Sequence, residues 1–152
     1  MYISKKHFKG FSCTFRQWKA IDTHCRFLHG YSVSFIIEFK GTLDDRNWVW
    51  DFGGMKRAKS KIDGISANKW FKHWFDHTTI IAQDDPELEK FIELEKSGAI
   101  QLRVIDNVGA EKFAEFVYNK INKFVQKETN NRVSVNKVTV LENENNSATY
   151  EY

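Results

Sequence analysis

Residues 32–40, SVSFIIEFK, alternate: Val33, Phe35, Ile37 and Phe39 fall on one side, Ser32, Ser34 and Glu38 on the other. A period of two sends successive side chains to opposite faces of a strand, so this segment buries one face and keeps the other polar. Such a strand needs partner strands beside it and a cover for its apolar side. Residues 3–15 read as the antiparallel partner, in a long hairpin closed through the 16–31 loop. RVSVNKVTVLEN and SATYEY, joined by an Asn-rich turn at Glu144–Asn146, read as a second pair.

Helical periodicity supplies the cover. Met55, Ala58, Ile62 and Ile65 recur at steps of three and four after WVWDFGG. Ala110, Phe113, Ala114, Val117, Ile121, Phe124 and Val125 form one apolar stripe, with Glu111 and Glu115 in the early turns, where the helix dipole favours acids. Between them, DDPELEKFIELEKSG predicts a short helix with Asp85 as cap, Pro86 in the first turn and Gly98 past the end, and IQLRVI a short strand. The order β-β-α-(α)-α-β-β describes one α+β domain over 1–152. Its expected core is an antiparallel four-stranded sheet with two long helices packed on one face. Another subunit is the simplest cover for the other face.

A chain of 152 residues can bury a core without disulfides or metals. A net charge of +3 with scattered positives argues against nucleic acid. No run of about 18 apolar residues exists to span a membrane, and MYISKKHFKGF lacks the apolar region of a signal peptide. Cys13 and Cys25 are too few for a disulfide framework, so free thiols in a reducing cytoplasm are expected.

Four stretches carry polar residues that a packing role does not require. They are CRFLHG with Cys25 and His29, FDHTTII with Asp76 and His77, VTVLEN with Glu142, and NVGAE at the start of the last helix. Singly, each has a plain reading: a buried thiol, a helix end, a solvated acid. Together a thiol, an imidazole oriented by an aspartate and a carboxylate form a usable acid–base set, because the Asp fixes the His tautomer and the His lowers the thiol pKa.

At these residues the chain resembles the family of 6-pyruvoyl-tetrahydropterin synthase and the bacterial 6-carboxytetrahydropterin synthase. The resemblance rests on FSCTFR, CRFLHGYSVSF, WVWDFGGMK, FDHTTII and VTVLENENNSATY. The family counterparts are F-x-A-A-H-R, C-x-x-x-H-G-H, a V-x-D-F segment, L-D-H-x-x-L and a V-x-E-T strand, in the same order. The resemblance implies a tunnelling fold, with trimers or a dimer of trimers as homo-oligomer. It implies a lyase acting on 7,8-dihydroneopterin triphosphate, in pterin pathways such as queuosine biosynthesis. By position, Cys25 matches the family's catalytic thiol, Asp76 and His77 its proton relay, and Glu142 the acid that anchors the pterin edge. Arg16 and Lys19 lie near enough in sequence to be candidates for the triphosphate.

The cofactor implied by the resemblance is zinc, held by three histidines. Here Phe15 and Tyr31 stand at two of those positions and only His29 remains. One imidazole cannot hold zinc, which takes three protein ligands even in open catalytic sites. Cys13 and His24 are the conceivable replacements, and the Tyr31 hydroxyl is a weaker substitute as a hydrogen-bond donor. The alternative to a lyase is a pterin- or purine-binding oligomer that has lost turnover.

Overall fold

The hairpin is present and longer than the alternating stretch alone. In the computed structural model, which describes all of residues 1–152, strand β1 (Tyr2–Phe15) pairs antiparallel with β2 (His29–Gly41). Phe8 and Phe11 are both buried although three residues apart. A bulge between them, with Gly10 at φ +87°, inserts the extra residue and resets the alternation. Beyond it the register sets Cys13 opposite Tyr31 and Phe15 opposite His29.

Strand β5 (Val133–Leu141) pairs with β2, and β6 (Ser147–Glu151) with β5, both antiparallel. Two further strands, β3 (Thr78–Ala82) and β4 (Leu102–Ile105), extend the other side in parallel, giving the order β4-β3-β1-β2-β5-β6. The sheet is therefore six-stranded and mixed, not the expected four-stranded antiparallel one. The reason is visible in β3: all five of its residues are buried, so TTIIA shows no alternation. A strand buried on both faces carries no period-two signal.

The helices also depart from expectation. The Met55–Ile65 periodicity yields only a single turn, α1 (Gly54–Arg57), before Asp63 and Gly64, at φ 49° and 85°, turn the chain. Helix α2 (Ala67–Phe75) follows, and the Ser66 hydroxyl accepts the Lys69 N–H at its N-terminus. Helix α3 (Leu88–Lys96) packs against β3 and β4. Only α4 (Ala110–Glu128), 19 residues, is long, and its predicted stripe is buried throughout.

The core lies where α2 and α4 meet the sheet. Phe15, Phe35, Phe39, Phe71, Phe75 and Phe113 are fully buried, each worth about 1.5–3 kcal/mol in transfer from water. The Phe71 ring stacks on Phe8 and Phe11 at 4.6 and 6.0 Å. On the opposite face of β2, Ser32 is exposed and Ser34 and Ile36 are half-buried, while Glu38 is covered by Lys5 at 2.8 Å and Asn136 at 3.0 Å. The core face of the hairpin ends at Phe15, His29 and Tyr31, beside the start of α4.

Candidate functional site

The register places Phe15, His29 and Tyr31 on one face, at neighbouring positions of the β1–β2 pair. What it assembles is a ladder of rings. Phe15 stacks on Tyr31 with centroids 3.9 Å apart and planes within 12°, and Tyr31 meets His29 at 4.3 Å. Behind them Phe15 contacts the edge of Phe113 at 4.9 Å. Each aromatic pair adds about 0.5–1.5 kcal/mol beyond its buried area. The His29 Nδ1 lies 2.9 Å from the Phe27 carbonyl oxygen, so Nδ1 carries the proton and Nε2 is the free nitrogen.

This donor set does not fit zinc. Phe15 offers no donor atom, and burial pushes the Tyr31 phenol up to about 12, with Glu142, Cys25 and Cys13 adding to the shift. Cys13 faces the core, and its thiol is pushed up to about 12 by burial and by Asp76. His24 sits on a 3-10 turn (His24–Arg26) with its ring toward Phe27. No cluster of three or more His, Cys, Asp or Glu is placed to hold an ion.

Cys25, on the same turn, is exposed. Its N–H donates to the Thr23 hydroxyl at 3.1 Å and its carbonyl accepts the Gln17 N–H at 2.8 Å. Asp76 and His77 occupy the junction of α2 and β3. The Asp76 Oδ1 is 3.1 Å from His77 Nδ1 and accepts the Ser12 N–H at 3.2 Å. Burial raises the Asp76 carboxyl, but the Ser12 amide and His77 hold it below the usual range. His77 adopts φ +56°, an unfavourable value for a side chain branching from an L-residue, and its N–H donates to the Ser12 carbonyl at 2.6 Å. Its imidazole is 79% exposed, and no hydrogen bond joins Cys25 to Asp76 or His77 within one chain.

Glu142 follows β5, where the Asn143 side chain accepts two N–H groups, from Asn145 and Asn146, and fixes the turn. Its carboxyl is half-buried and has no hydrogen-bond partner in the chain. Burial and the neighbouring Glu111 push its pKa up, with His29 opposing. Together with His7, Lys9, His29, Tyr31 and Ser34, Glu142 lines a groove of about 690 Å³. Glu142 and Cys25 both push the Tyr31 phenol up, and no hydrogen bond links the Asp76–His77 pair to Cys25 or Glu142.

The sequence profile of the 6-pyruvoyl tetrahydropterin synthase family matches residues 2–152. The chain belongs to the 6-pyruvoyl tetrahydropterin synthase family. The 6-carboxy-5,6,7,8-tetrahydropterin synthase of Rickettsia typhi is 34% identical over 98 residues, and that of Rickettsia felis 33% over 98. In each case the match spans 64% of this chain and 64% of the relative's length. Among solved structures, an uncharacterized protein of Wolinella succinogenes superposes with a TM-score of 0.73 at 20% identity, covering 99% of this chain and 97% of that one. The 6-pyruvoyl tetrahydropterin synthase of Caenorhabditis elegans superposes with a TM-score of 0.62 at 18% identity, covering 100% and 97%. These two likenesses establish the fold. The tunnelling fold expected from the sequence is therefore present in this member of the family, with its sheet extended by β3 and β4.

Sequence reasoning passed over two features of this region. Arg16, a triphosphate candidate, is committed to Asp85 through two hydrogen bonds of 2.7 and 2.6 Å. Asp85, expected to cap α3, accepts the Glu87 N–H instead, one turn earlier. The acidic pair in AQDD was the only trace of this contact in the sequence.

Proposed function

We propose that the chain is a pterin-processing lyase acting on 7,8-dihydroneopterin triphosphate, or on a closely related pterin, without a zinc ion in the family's position. The observation that carries this reading is Glu142. A half-buried carboxyl with no partner of its own, in a groove shared with Tyr31 and His29, suits a ligand edge that presents two adjacent N–H donors. The aminopyrimidine edge of a pterin is such a group, and ligand donors would offset the cost that keeps this carboxyl's pKa raised.

Cys25 would take a proton from the carbon next to the pterin ring. The electrons of that C–H bond would pass into the conjugated C=N of the ring, whose nitrogen takes up a proton. Loss of a proton from the next side-chain carbon would then form a C=C bond as the triphosphate leaves the terminal carbon with its bonding pair. Asp76 orients His77, which would receive the proton from the thiol. No hydrogen bond joins His77 to Cys25 within one chain, so in this reading the relay would come from a neighbouring subunit. The polar face of β2, with Ser32, Ser34 and Ile36, is the surface a trimer or dimer of trimers would cover. The Tyr31 phenol, kept protonated by its surroundings, would donate to a developing oxyanion, more weakly than a Lewis acid.

The second reading, a pterin- or purine-binding oligomer without turnover, is favoured by Phe15 and Tyr31, which fill two positions of the family's metal site with rings. Assay of dihydroneopterin triphosphate consumption with and without added zinc, together with calorimetric binding, separates the two. Turnover that is insensitive to chelators supports the lyase. Binding without turnover assigns the second function, and neither binding nor turnover rejects both.

A further inference from the structure

Cys25 is exposed, yet the backbone around it is tied down at three points. Its N–H is held by Thr23, its carbonyl by the Gln17 N–H, and the carbonyl of Arg26 by Arg16 Nη1 at 3.3 Å. Arg16 is itself fixed: Nε reaches Asp85 Oδ2 at 2.7 Å and Nη2 reaches Oδ1 at 2.6 Å. The Asp85 side chain is 1% exposed and that of Arg16 19%. A two-pronged guanidinium–carboxylate pair of this kind fixes orientation as well as distance, and a lysine cannot reproduce it.

The neighbouring residues extend the attachment. Trp18 Nε1 donates to Asp84 at 3.2 Å and Lys19 pairs with the same carboxylate at 3.2 Å. Gln17 lies against Gly109, where an added Cβ would stand 2.2 Å from its Nε2. The base of the 16–26 loop is thereby fastened to the segment after β3 and to the start of α4. A loop whose only task was to connect β1 to β2 would not need a buried ion pair to hold the Arg26–Phe27 peptide, one unit beyond its cysteine.

We propose that Arg16 and Asp85 are positioning residues for Cys25, holding the 16–26 loop and with it the backbone that carries the thiol. The catalytic use of that thiol rests on the proposed function, whereas the clamp itself does not. Arg16→Lys keeps the positive charge but removes the fork and the reach to the Arg26 carbonyl. Asp85→Asn removes the charge and keeps the shape.

The test measures amide hydrogen exchange in the full chain, and separately the kinetics on dihydroneopterin triphosphate. In Arg16→Lys the Gln17 and Cys25 amides should exchange about tenfold faster or more, while the amides of the central β2 strand stay as in the wild type. Turnover should fall mainly in kcat, by about tenfold, with KM within about twofold, a split that a loss of folded protein alone would not produce. Unchanged exchange at Gln17 and Cys25 would overturn the proposal, as would acceleration spread evenly over the chain. If Asp85→Asn does not fold, Arg16→Lys decides. If the wild type shows no turnover, the proposed function fails and the exchange measurement alone decides the clamp.

Discussion

Restoring imidazoles at positions 15 and 31 should create a zinc site that the present chain lacks. In a Phe15→His, Tyr31→His variant the new rings join His29 on one strand face, because Phe15 pairs with His29 and Tyr31 follows two residues later. His29 already has the right form, with Nδ1 donated to the Phe27 carbonyl and Nε2 free. The substitutions remove the Phe15–Tyr31 stack at 3.9 Å and the Phe15–Phe113 contact at 4.9 Å. Two aromatic pairs at about 0.5–1.5 kcal/mol each, plus about 1–3 kcal/mol for the imidazole left unsatisfied at the fully buried position 15, give a loss of about 2–6 kcal/mol without metal. Zinc at a hundred times its Kd would return about 2.7 kcal/mol, which in a domain of this size is a rise of about 5–11 °C in Tm. The assay is thermal unfolding with and without zinc, with metal content measured on the purified protein. A variant with no stoichiometric zinc and no zinc-dependent Tm rise would refute the geometric reasoning. A wild type that binds zinc tightly would refute the chemical reasoning.

Further outcomes follow from the acid–base residues. Glu142→Ala should weaken pterin binding by about 2–4 kcal/mol, the worth of charge-assisted hydrogen bonds to one carboxylate, and leave assembly intact, as calorimetry and sedimentation would read. Glu142→Gln should be more stable than the wild type at pH 7, with the difference closing by about pH 4. The folded carboxyl titrates above the ordinary value of 4.5, so its stabilising contribution is complete below that value and is lost as pH rises through the folded pKa. His77→Ala should slow turnover by roughly 10²–10⁴-fold, the usual worth of a positioned general base. A stable monomer in sedimentation at micromolar concentration would remove the means by which His77 could reach a second chain's Cys25.

The parts of the fold legible in the sequence were those with an unambiguous period. Strand β2 alternates and α4 carries a three–four stripe, and both stand where that patterning puts them. Strand β3 escaped because a strand buried on both sides looks like any short aliphatic run. The spacing of Met55, Ala58 and Ile62 does report burial, since all three are inside. It does not report a helix, because Asp63 and Gly64 take positive φ and break the path one turn before α2 begins. Side chains can reach the core at helical spacing from a turn, and only the backbone distinguishes the two.

The candidate site shows the same division between position and contact. Sequence order was enough to predict that Phe15, His29 and Tyr31 would meet, because two paired strands bring i, i+2 and a cross-strand neighbour to one face whatever the side chains are. It could not reveal what replaces a metal there. Phe15 and Tyr31 form a stack that makes this end of the sheet continuous with the Phe113 end of α4, with Phe15 fully buried and Tyr31 half-buried at the groove. Nor could sequence order separate Cys25 from Asp76 and His77, which motif matching groups as one set. The loop that carries the thiol is held by Arg16 and Asp85, 69 residues apart in the chain, and the Asp76–His77 pair is held by the backbone of Ser12 within β1. Under the proposed function, these two acid–base groups, anchored to different parts of the fold, would act on one substrate with a second chain completing the site. In that reading an oligomer would serve the proposed chemistry and also cover the polar face of the sheet.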